Sequence, residues 1–284
     1  MAQARRLDLH LHTTHSDGSF SVREVLTRAQ QAHVTALAVT DHDTVAGIPE
    51  ALSIGQELGI EVLPGIEISS RQGDTELHIL GYCFDWRRPE LLSHLTGLRR
   101  SRHERNPQIV ERLRALGMDL TYEEVRTLAG TESVGRPHIA RVLMEKGYVT
   151  SAKDAFDRFL ANGKAAFIPR ELPDPATAVG WILAAGGVPV LAHPTWVRES
   201  RDGLVRLCRQ LKEQGLKGVE VHYSTHKHSD TAEYLQLART LDLLVTGGSD
   251  FHGVTKPDIE VGIGRGGLRV PAELLEPLKK AAGS

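Results

Sequence analysis

The chain has 284 residues, of which 40 % are hydrophobic and 25 % charged, and its formal net charge at pH 7 is −2. This composition suits a folded protein with one large core and an insertion, and it excludes a disordered chain. The small net charge argues against binding duplex DNA through bulk electrostatics. Cys83 and Cys208 predict neither a disulfide framework nor a zinc ribbon. No leader-like segment precedes Asp8 and no apolar run could span a membrane, so we expect a cytoplasmic protein without membrane contact.

Seven short apolar and β-branched runs predict strands. They cover Arg6–His12, Ala36–Thr40, Ile60–Glu67, Glu76–Cys83, Val188–His193, Gly218–Tyr223 and Leu243–Gly247. Ser21-Val22-Arg23-Glu24 predicts the capped start of a helix that runs to Ala32. Further predicted helices cover Pro49–Leu58, Ala176–Ala185, Gly203–Gln214, Thr231–Leu241 and Ala272–Ala281. Strands that alternate with helices indicate an α/β protein with a parallel sheet. Polar residues at the strand ends favour a closed (β/α) barrel of seven strands over an open sheet.

Residues 89–168 lack a strand pattern and predict a small helical subdomain inserted between the fourth and fifth strands. Its helices are expected at Leu91–Leu116, Tyr122–Leu128, Ile139–Glu145 and Ala152–Leu160. Residues 1–88 and 169–284 would then form the barrel. We expect the insertion to pack against the barrel mouth and cap the active site.

Histidines and carboxylates gather where the predicted strands end. The set comprises His10, His12, Asp17, His42, Glu67, His78, His193, Asp250 and His252. Imidazole and carboxylate without thiolate suit Mn²⁺, Zn²⁺ or Fe²⁺, and the number of ligands exceeds the needs of one ion. Any one of these histidines has an ordinary alternative as a hydrogen-bonded core residue. Their joint position predicts a centre of two or three metal ions, with Glu67 as a bridging ligand.

These residues carry a resemblance to the PHP (polymerase and histidinol phosphatase) family of metal-dependent phosphoesterases, which is related to the amidohydrolases. His10-Leu11-His12, Thr40-Asp41-His42, Ala192-His193-Pro194 and Gly248-Ser249-Asp250-Phe251-His252 resemble its four motifs. The resemblance implies a distorted barrel and three metal sites. The first would take His10, His12, Glu67 and Asp250, the second Glu67, His78 and His193, and the third Asp17, His42 and His252.

The insertion and Gly135-Arg136-Pro137-His138-Ile139-Ala140 resemble the branch that removes the 3′-phosphate from nucleoside 3′,5′-bisphosphates such as adenosine 3′,5′-bisphosphate. Arg99, Arg100, Arg102, Arg105, Arg136 and His138 are candidate anion ligands. Arginine can donate two hydrogen bonds to a phosphate. Arg99 and Arg102 lie three residues apart and are favoured as a pair, together with Arg136 and His138. A merely solvated basic helix face is the alternative.

The expected mechanism is attack on phosphorus by a metal-bridging hydroxide. His222, which alternates with Glu220 on the sixth predicted strand, is the candidate general acid, with a structural or substrate-orienting role as the alternative. Asp41 and Asp43 flank His42 and are expected to orient it.

Three other functions stay open: a 5′-to-3′ exonuclease on short RNA, a histidinol-phosphatase-like enzyme and a non-catalytic structural PHP module. The complete ligand set and the absence of a polymerase domain count against the last. No feature of the sequence indicates an oligomeric state.

Overall fold

The computed structural model describes residues 6–131, 133–197 and 199–282 of the chain. Seven strands form one sheet in sequence order. The strands are β1 Arg6–Leu11, β2 Val34–Val39, β3 Glu61–Gln72, β4 Thr75–Tyr82, β5 Val188–Leu191, β6 Gly218–Tyr223 and β7 Leu244–Gly248. The N–H of His12 donates to the carbonyl of Phe251 at 3.0 Å, which joins the chain after β7 to the end of β1. The seven strands thus form a nearly closed barrel, which confirms the predicted fold class.

One prediction about the sheet is wrong, because the sheet is not parallel throughout. β4 runs antiparallel to both of its neighbours, β3 and β5. A tight turn at Gly73 and Asp74 connects β3 directly to β4, and Gly73 adopts a left-handed φ of 57° there. The hairpin extends β3 five residues beyond the predicted end at Glu67. Two strands joined by a two-residue turn must be antiparallel, since a parallel pair needs a crossover connection.

Helices surround the barrel close to their predicted positions. They are α1 Val22–Gln31, α2 Ile48–Leu58, α7 Pro175–Ala184, α8 Arg201–Glu213, α9 His228–Thr240 and α10 Leu275–Lys280, numbered with the insertion helices given below. The side chain of Ser21 accepts from the N–H of Glu24, and the Glu24 carboxylate accepts from the N–H of Ser21 in return. The last helix is shorter than predicted, because Ala272–Leu274 form a separate 3₁₀ turn.

Between β4 and β5 the chain forms helices, as the sequence predicts. They are α3 Pro89–Ala115, α4 Tyr122–Ala129, α5 Arg136–Glu145 and α6 Ala152–Ala155, the last continuing as a π-helical turn over Phe156–Leu160. Leu91 and Leu95 in the first half of α3 pack into the core around the barrel, whereas Ile109 and Leu113 in its second half pack into a separate apolar cluster of the insertion. The long helix therefore joins two cores. No helix within the described residues is long and apolar enough to cross a bilayer.

Candidate active site

Glu67 lies at the centre of the polar cluster in the barrel mouth. Its Oε2 atom is 3.3 Å from Nε2 of His10, 3.1 Å from Nε2 of His12 and 3.1 Å from Nδ1 of His42. Its Oε1 atom is 2.7 Å from Nδ1 of His78 and 2.9 Å from Nε2 of His193. Five imidazoles thus surround the two oxygens of one buried carboxylate. This is the arrangement that a carboxylate bridging two ions requires.

The reversed strand explains how His78 reaches this cluster. The sequence placed His78 at a strand end, but it lies within β4, paired with Ser69 of β3. β4 enters the barrel mouth from the hairpin, so a residue in its first half faces the same mouth as the C-terminal ends of the parallel strands. The direction was predicted wrongly, yet the side chain meets Glu67.

A second group of ligands surrounds Asp17, in the loop after β1. Its carboxylate is 3.3 Å from Nε2 of His252, 3.7 Å from Nδ1 of His12 and 3.7 Å from Nε2 of His42. Asp250 joins the first group, since its Oδ1 atom lies 3.5 Å from His10 and 3.3 Å from His12. The structure therefore brings all nine candidate ligands together at the mouth of the barrel.

Three nitrogen atoms in this cluster test whether metal ions fit. Nε2 of His10, Nε2 of His12 and Nδ1 of His42 are buried, and although each lies within 3.3 Å of Oε2 of Glu67, none makes a well-directed hydrogen bond within the described parts of the chain. A buried polar atom without a partner is unfavourable unless a ligand satisfies it. Three groups of residues have ligand atoms within 4.8 Å of one another, namely His12, Asp17, His42 and His252; His10, His12 and Glu67; and His42, Glu67 and His78. Imidazoles and carboxylates in such groups fit two or three divalent ions.

Other side chains hold the ligands in place. Glu220 accepts a hydrogen bond from Nδ1 of His10 at 2.9 Å and from the N–H of His193 at 2.8 Å. The hydroxyl of Tyr223 and the ammonium of Lys256 both donate to Oδ2 of Asp250, at 2.6 and 2.5 Å. That leaves Oδ1 of Asp250 facing the histidines. Such outer partners orient metal ligands and tune their affinity.

Asp41 and Asp43, which flank His42, accept hydrogen bonds from neighbouring segments rather than from the His42 ring. Asp41 accepts from the N–H of Thr13 at 2.8 Å and from the hydroxyl of Ser16 at 2.5 Å. Asp43 accepts from the N–H of Ser69 at 2.8 Å, and its Oδ2 also pairs with two arginines described below. We expected both carboxylates to contact the imidazole. Asp41 instead connects the loop after β2 to the loop after β1. Asp43 connects the loop after β2 to β3 and to two arginines across the barrel mouth.

The electrostatics of the cluster leave some candidate ligands ready to bind metal and others protonated. Burial alone would raise the pKa of Glu67, but the imidazoles of His42, His78 and His10 outweigh it and hold the pKa well below its usual range. Burial lowers the pKa of His42 to about 3, so its ring is neutral near pH 7. Burial would also lower the pKa of His12, yet Asp250 and Glu67 outweigh it and raise the pKa to about 9. Metal binding must therefore displace a proton from His12, which links affinity to pH.

A cavity of about 540 Å³ opens above the cluster. Seven of the nine candidate ligands line it, and the opposite wall carries four arginines, Arg102 and Arg105 from α3, Arg136 from α5, and Arg170. Nη2 of Arg102 and Nη2 of Arg170 bind the same oxygen of Asp43, at 2.5 and 3.1 Å. Nη2 of Arg136 binds Glu76 at 2.8 Å.

Arg105 differs from the other three arginines. Its side chain is 5 % exposed, and its guanidinium donates to the Asn106 side chain at 2.8 Å without forming an ion pair among the described residues. Burial, together with repulsion from Arg136, Arg170 and Arg102, lowers its pKa well below the usual value. Four guanidiniums thus face two carboxylates, Asp43 and Glu76. The surplus positive charge makes this wall a candidate anion site.

Three of the candidate anion ligands and the candidate general acid lie away from the cavity lining, namely Arg99, Arg100, His138 and His222. Arg99 donates to the backbone carbonyl of Asp43 at 3.2 Å, so the pair on the cavity face of α3 is Arg102 and Arg105, three residues apart, rather than Arg99 and Arg102. His138 is buried and its Nδ1 accepts the N–H of Gly135 at 2.9 Å, at the start of α5. His222 also lies outside the lining.

A bulge in β6 explains the position of His222. The pairing with β7 shifts between Glu220 and His222, so one extra residue lies between them. The bulge resets the alternation of faces, and Tyr223 rather than His222 follows Glu220 into the site. The sequence signal for Glu220 was the acidic residue within an apolar strand. No sequence signal marked Tyr223 or Lys256.

Comparison with known proteins places the chain in a family. The model of the PHP domain matches residues 8–165. A 5′-3′ exoribonuclease from Haemophilus influenzae is 36 % identical over 248 residues, which cover 87 % of this chain and 90 % of that protein. A 3′,5′-nucleoside bisphosphate phosphatase from Chromobacterium violaceum is 33 % identical over 257 residues, covering 90 % of each.

A solved structure from Bifidobacterium adolescentis, assigned as a metal-dependent phosphoesterase, superposes with a TM-score of 0.88 at 29 % identity. The superposition covers 99 % of this chain and 97 % of that one. The family model spans more than half of the sequence, and the relatives are similar over almost its full length. The protein therefore belongs to the PHP family of metal-dependent phosphoesterases.

Proposed function

We propose that the protein removes the 3′-phosphate from nucleoside 3′,5′-bisphosphates, such as adenosine 3′,5′-bisphosphate, to give a nucleoside 5′-monophosphate and phosphate. The observation that supports this proposal is the arginine wall opposite the metal ligands. Its surplus of positive charge, centred on Arg105, calls for an anion at a distance from the reacting group. A substrate with one phosphate at the metals and a second at Arg105, Arg102 and Arg170 meets that need.

Bound divalent ions, for which we propose Mn²⁺, would supply an acidified water as nucleophile and neutralise charge on the reacting phosphate. His10, His12, Glu67 and Asp250 would hold one ion, Glu67, His78 and His193 a second, and Asp17, His42 and His252 a third. Glu220 and Tyr223 keep these ligands oriented through their hydrogen bonds. Arg136 would bind and orient the substrate from the wall.

The leaving ribose oxygen needs a proton, and His222 lies outside the cavity lining. Lys256 lines the cavity and uses one of its N–H groups on Asp250, so two remain for a substrate. We assign proton donation to Lys256. Lys256→Met should slow release of the 3′-phosphate far more than hydrolysis of 4-nitrophenyl phosphate, whose leaving group needs no proton. Equal losses would leave Lys256 a positioning role only.

Of the other candidates, 5′-to-3′ exonuclease action on short RNA is favoured by a second cavity of about 400 Å³, which shares Arg136, Phe156 and Trp196 with the first and could hold a neighbouring nucleotide. A histidinol-phosphatase-like activity is disfavoured, because the substrate's ammonium would face the surplus guanidinium charge. A structural, non-catalytic role is disfavoured by the intact set of nine ligands.

Phosphate release from a matched panel tests the proposal. The metal-loaded enzyme is supplied with adenosine 3′,5′-bisphosphate, adenosine 3′-monophosphate, adenosine 5′-monophosphate and histidinol phosphate. The bisphosphate should give the highest kcat/KM, at least tenfold above the 3′-monophosphate, on the scale of one charge-assisted contact. Equal rates on both 3′-phosphates would remove the role proposed for the arginine wall, and faster histidinol phosphate hydrolysis would replace the proposal.

A further inference from the structure

Glu76 lies between the metal ligands and the arginine wall. It precedes the ligand His78 by two residues on β4, so both side chains leave the strand on the same face, and both line the cavity. Nδ1 of His78 faces the cluster, at 2.7 Å from Oε1 of Glu67 and 3.3 Å from Nε2 of His193. The other ring nitrogen, Nε2, lies 3.9 Å from Oε1 of Glu76. One imidazole is thus placed between two carboxylates.

Arg136 of the insertion holds the second oxygen of Glu76. Its Nη2 atom donates to Oε2 of Glu76 at 2.8 Å, and its Nη1 atom donates to the carbonyl of Leu160 at 3.3 Å. The side chains of Arg136 and Glu76 are only 17 % and 25 % exposed, so water screens this ion pair less than a pair on the open surface. A chain of contacts therefore runs from the arginine wall through Glu76 and His78 to Glu67.

Glu76 is shared unequally between its two partners. The 2.8 Å contact with Arg136 is a hydrogen bond, whereas 3.9 Å from His78 is too long for one. A carboxylate that accepts a hydrogen bond from the outer nitrogen of a ligating imidazole orients the ring and makes it a better metal ligand. While the guanidinium holds Glu76, His78 lacks that hydrogen bond. An anion bound to Arg136 removes the competition, because it satisfies the guanidinium and lets Glu76 move toward His78.

We propose that Glu76 is a positioning residue that couples the anion site to the metal centre. A substrate phosphate that binds Arg136 frees Glu76 to hold His78, so that the cluster binds metal more tightly when substrate is present. The effect is reciprocal by linkage, and metal binding strengthens phosphate binding by the same factor. The inference rests on the proposed function, because it uses Arg136 as a contact of the substrate's non-reacting phosphate.

A double-mutant cycle on metal affinity tests the coupling without any turnover. Protein freed of metal by a chelator is titrated with Mn²⁺ by calorimetry, and the binding step that Glu76→Gln weakens is compared throughout. Glu76→Gln should weaken this step about tenfold, because it removes the charge behind His78. Arg136→Met should tighten it about fivefold, because Glu76 is then released. The double variant should match Glu76→Gln alone, since Arg136 acts on the metal only through Glu76.

Arg105→Met separates the coupling from general repulsion between positive charges. It removes a charge from the same wall, but the Arg105 guanidinium donates to Asn106 rather than to Glu76. Mn²⁺ affinity should therefore change less than about twofold. Tightening as large as that of Arg136→Met would mean long-range repulsion and would overturn the coupling. It would also be overturned by an Arg136→Met variant that binds Mn²⁺ no better than the wild type, or by a double variant that binds it better than Glu76→Gln.

Adenosine 5′-monophosphate, a product of the proposed reaction, supplies the anion in a second measurement. At saturating nucleotide, and after correction for Mn²⁺ held by free nucleotide, the wild type should bind Mn²⁺ about fivefold more tightly than without it. Glu76→Gln and Arg136→Met should change less than about twofold. An equal gain in Glu76→Gln would mean that the nucleotide contacts the ions directly, and the coupling would be wrong. A bisphosphate hydrolysed no faster than the 3′-monophosphate would instead overturn the proposed function, while the coupling is judged by metal affinity alone.

Discussion

The hydroxyl of Tyr223 donates to Oδ2 of Asp250 at 2.6 Å, and Lys256 donates to the same oxygen. Oδ1 of Asp250 therefore remains as the atom that faces His10 and His12. Asp250 itself adopts a left-handed φ of 55°, a conformation unusual for a residue other than glycine. The strained backbone and the two donors together fix which oxygen is offered to a metal ion.

Tyr223→Phe should therefore weaken metal binding without unfolding the protein. The ring is retained, but Asp250 loses a donor that orients it, and loss of an outer partner of this kind lowers metal affinity about 10- to 100-fold. Titration of the metal-free variant with Mn²⁺ measures the change. Tyr234→Phe, outside the site, is the matched control. Unchanged affinity in Tyr223→Phe would show that Lys256 alone suffices to orient Asp250.

Glu67→Gln should remove metal as well as activity. The amide can offer only one oxygen and carries no charge, so it cannot bridge two ions between five imidazoles. We expect the purified variant to contain less metal by elemental analysis and to lose at least about 100-fold in kcat, since two ions are affected at once. Glu57→Gln, on the exposed side of α2, is the matched control and should keep the metal content and kcat of the wild-type protein. Full metal content with wild-type kcat would contradict a bridging role.

Removal of metal should abolish turnover. The cluster contains nine candidate ligands, and three of its buried imidazole nitrogens make no hydrogen bond within the described residues. Dialysis against a chelator should remove activity, and Mn²⁺ should restore it at least as well as Mg²⁺, because imidazoles favour the softer ion. Activity in a preparation that elemental analysis shows to be free of metal would refute the assignment.

Arg105→Met should raise the stability of the protein and lower its activity. The guanidinium is buried without a carboxylate partner, so an apolar side chain of similar length should stabilise the metal-free protein by about 1–3 kcal/mol. The same change should lower kcat/KM for a 3′,5′-bisphosphate by about 2 kcal/mol, the scale of a charge-assisted hydrogen bond, with little effect on 4-nitrophenyl phosphate. Urea unfolding and kinetics measure the two effects. A variant that loses stability and acts equally on both substrates would mean that Arg105 serves the fold.

His138 should make stability fall in acid. Burial lowers its pKa to about 4. Below the ordinary histidine pKa of about 6.5 the unfolded chain binds a proton that the folded chain excludes, so stability declines as the pH falls from 6.5 to 4, by up to roughly 3 kcal/mol. In His138→Asn, where an amide oxygen can still accept the N–H of Gly135, this part of the decline should vanish from urea unfolding curves in chelator. His103→Asn, on the surface, should retain it, and identical slopes in all three proteins would contradict the prediction.

The candidate site was more predictable from the sequence than the sheet around it. Histidines and carboxylates are rare in apolar strands, so His10, His12 and Glu67 could be recognised without knowing the direction of any strand. The reversal of β4 could not be recognised in the same way. It depends on a two-residue turn at Gly73 and Asp74, and the sequence offered helices before and after most other strands, which favoured a parallel arrangement.

Two predictions about individual side chains were wrong because a small shift along the chain changes which face of a strand or helix a side chain occupies. The extra residue, Val221, directed Tyr223 rather than His222 into the site, and no local sequence pattern marks a bulge between Glu220 and His222. The choice within α3 failed for a similar reason. Spacing alone made Arg99 with Arg102 and Arg102 with Arg105 equivalent pairs, and only the packing of the helix against the barrel distinguishes them.

The reversal of β4 also explains why helix α3 is long. β4 ends at Tyr82, opposite Val188, where β5 begins, so the chain emerges at the end of the barrel away from the metal ligands. α3 has 27 residues and spans roughly 40 Å, enough to carry the chain back along the outside to the mouth. The length of α3 therefore determines the distance between the metal ligands and the two arginines, Arg102 and Arg105. Deleting four residues before Arg102 would shift both arginines by about 6 Å along the helix and rotate them by about 40°, which would change the size of substrate the enzyme accepts while leaving its metal ligands in place.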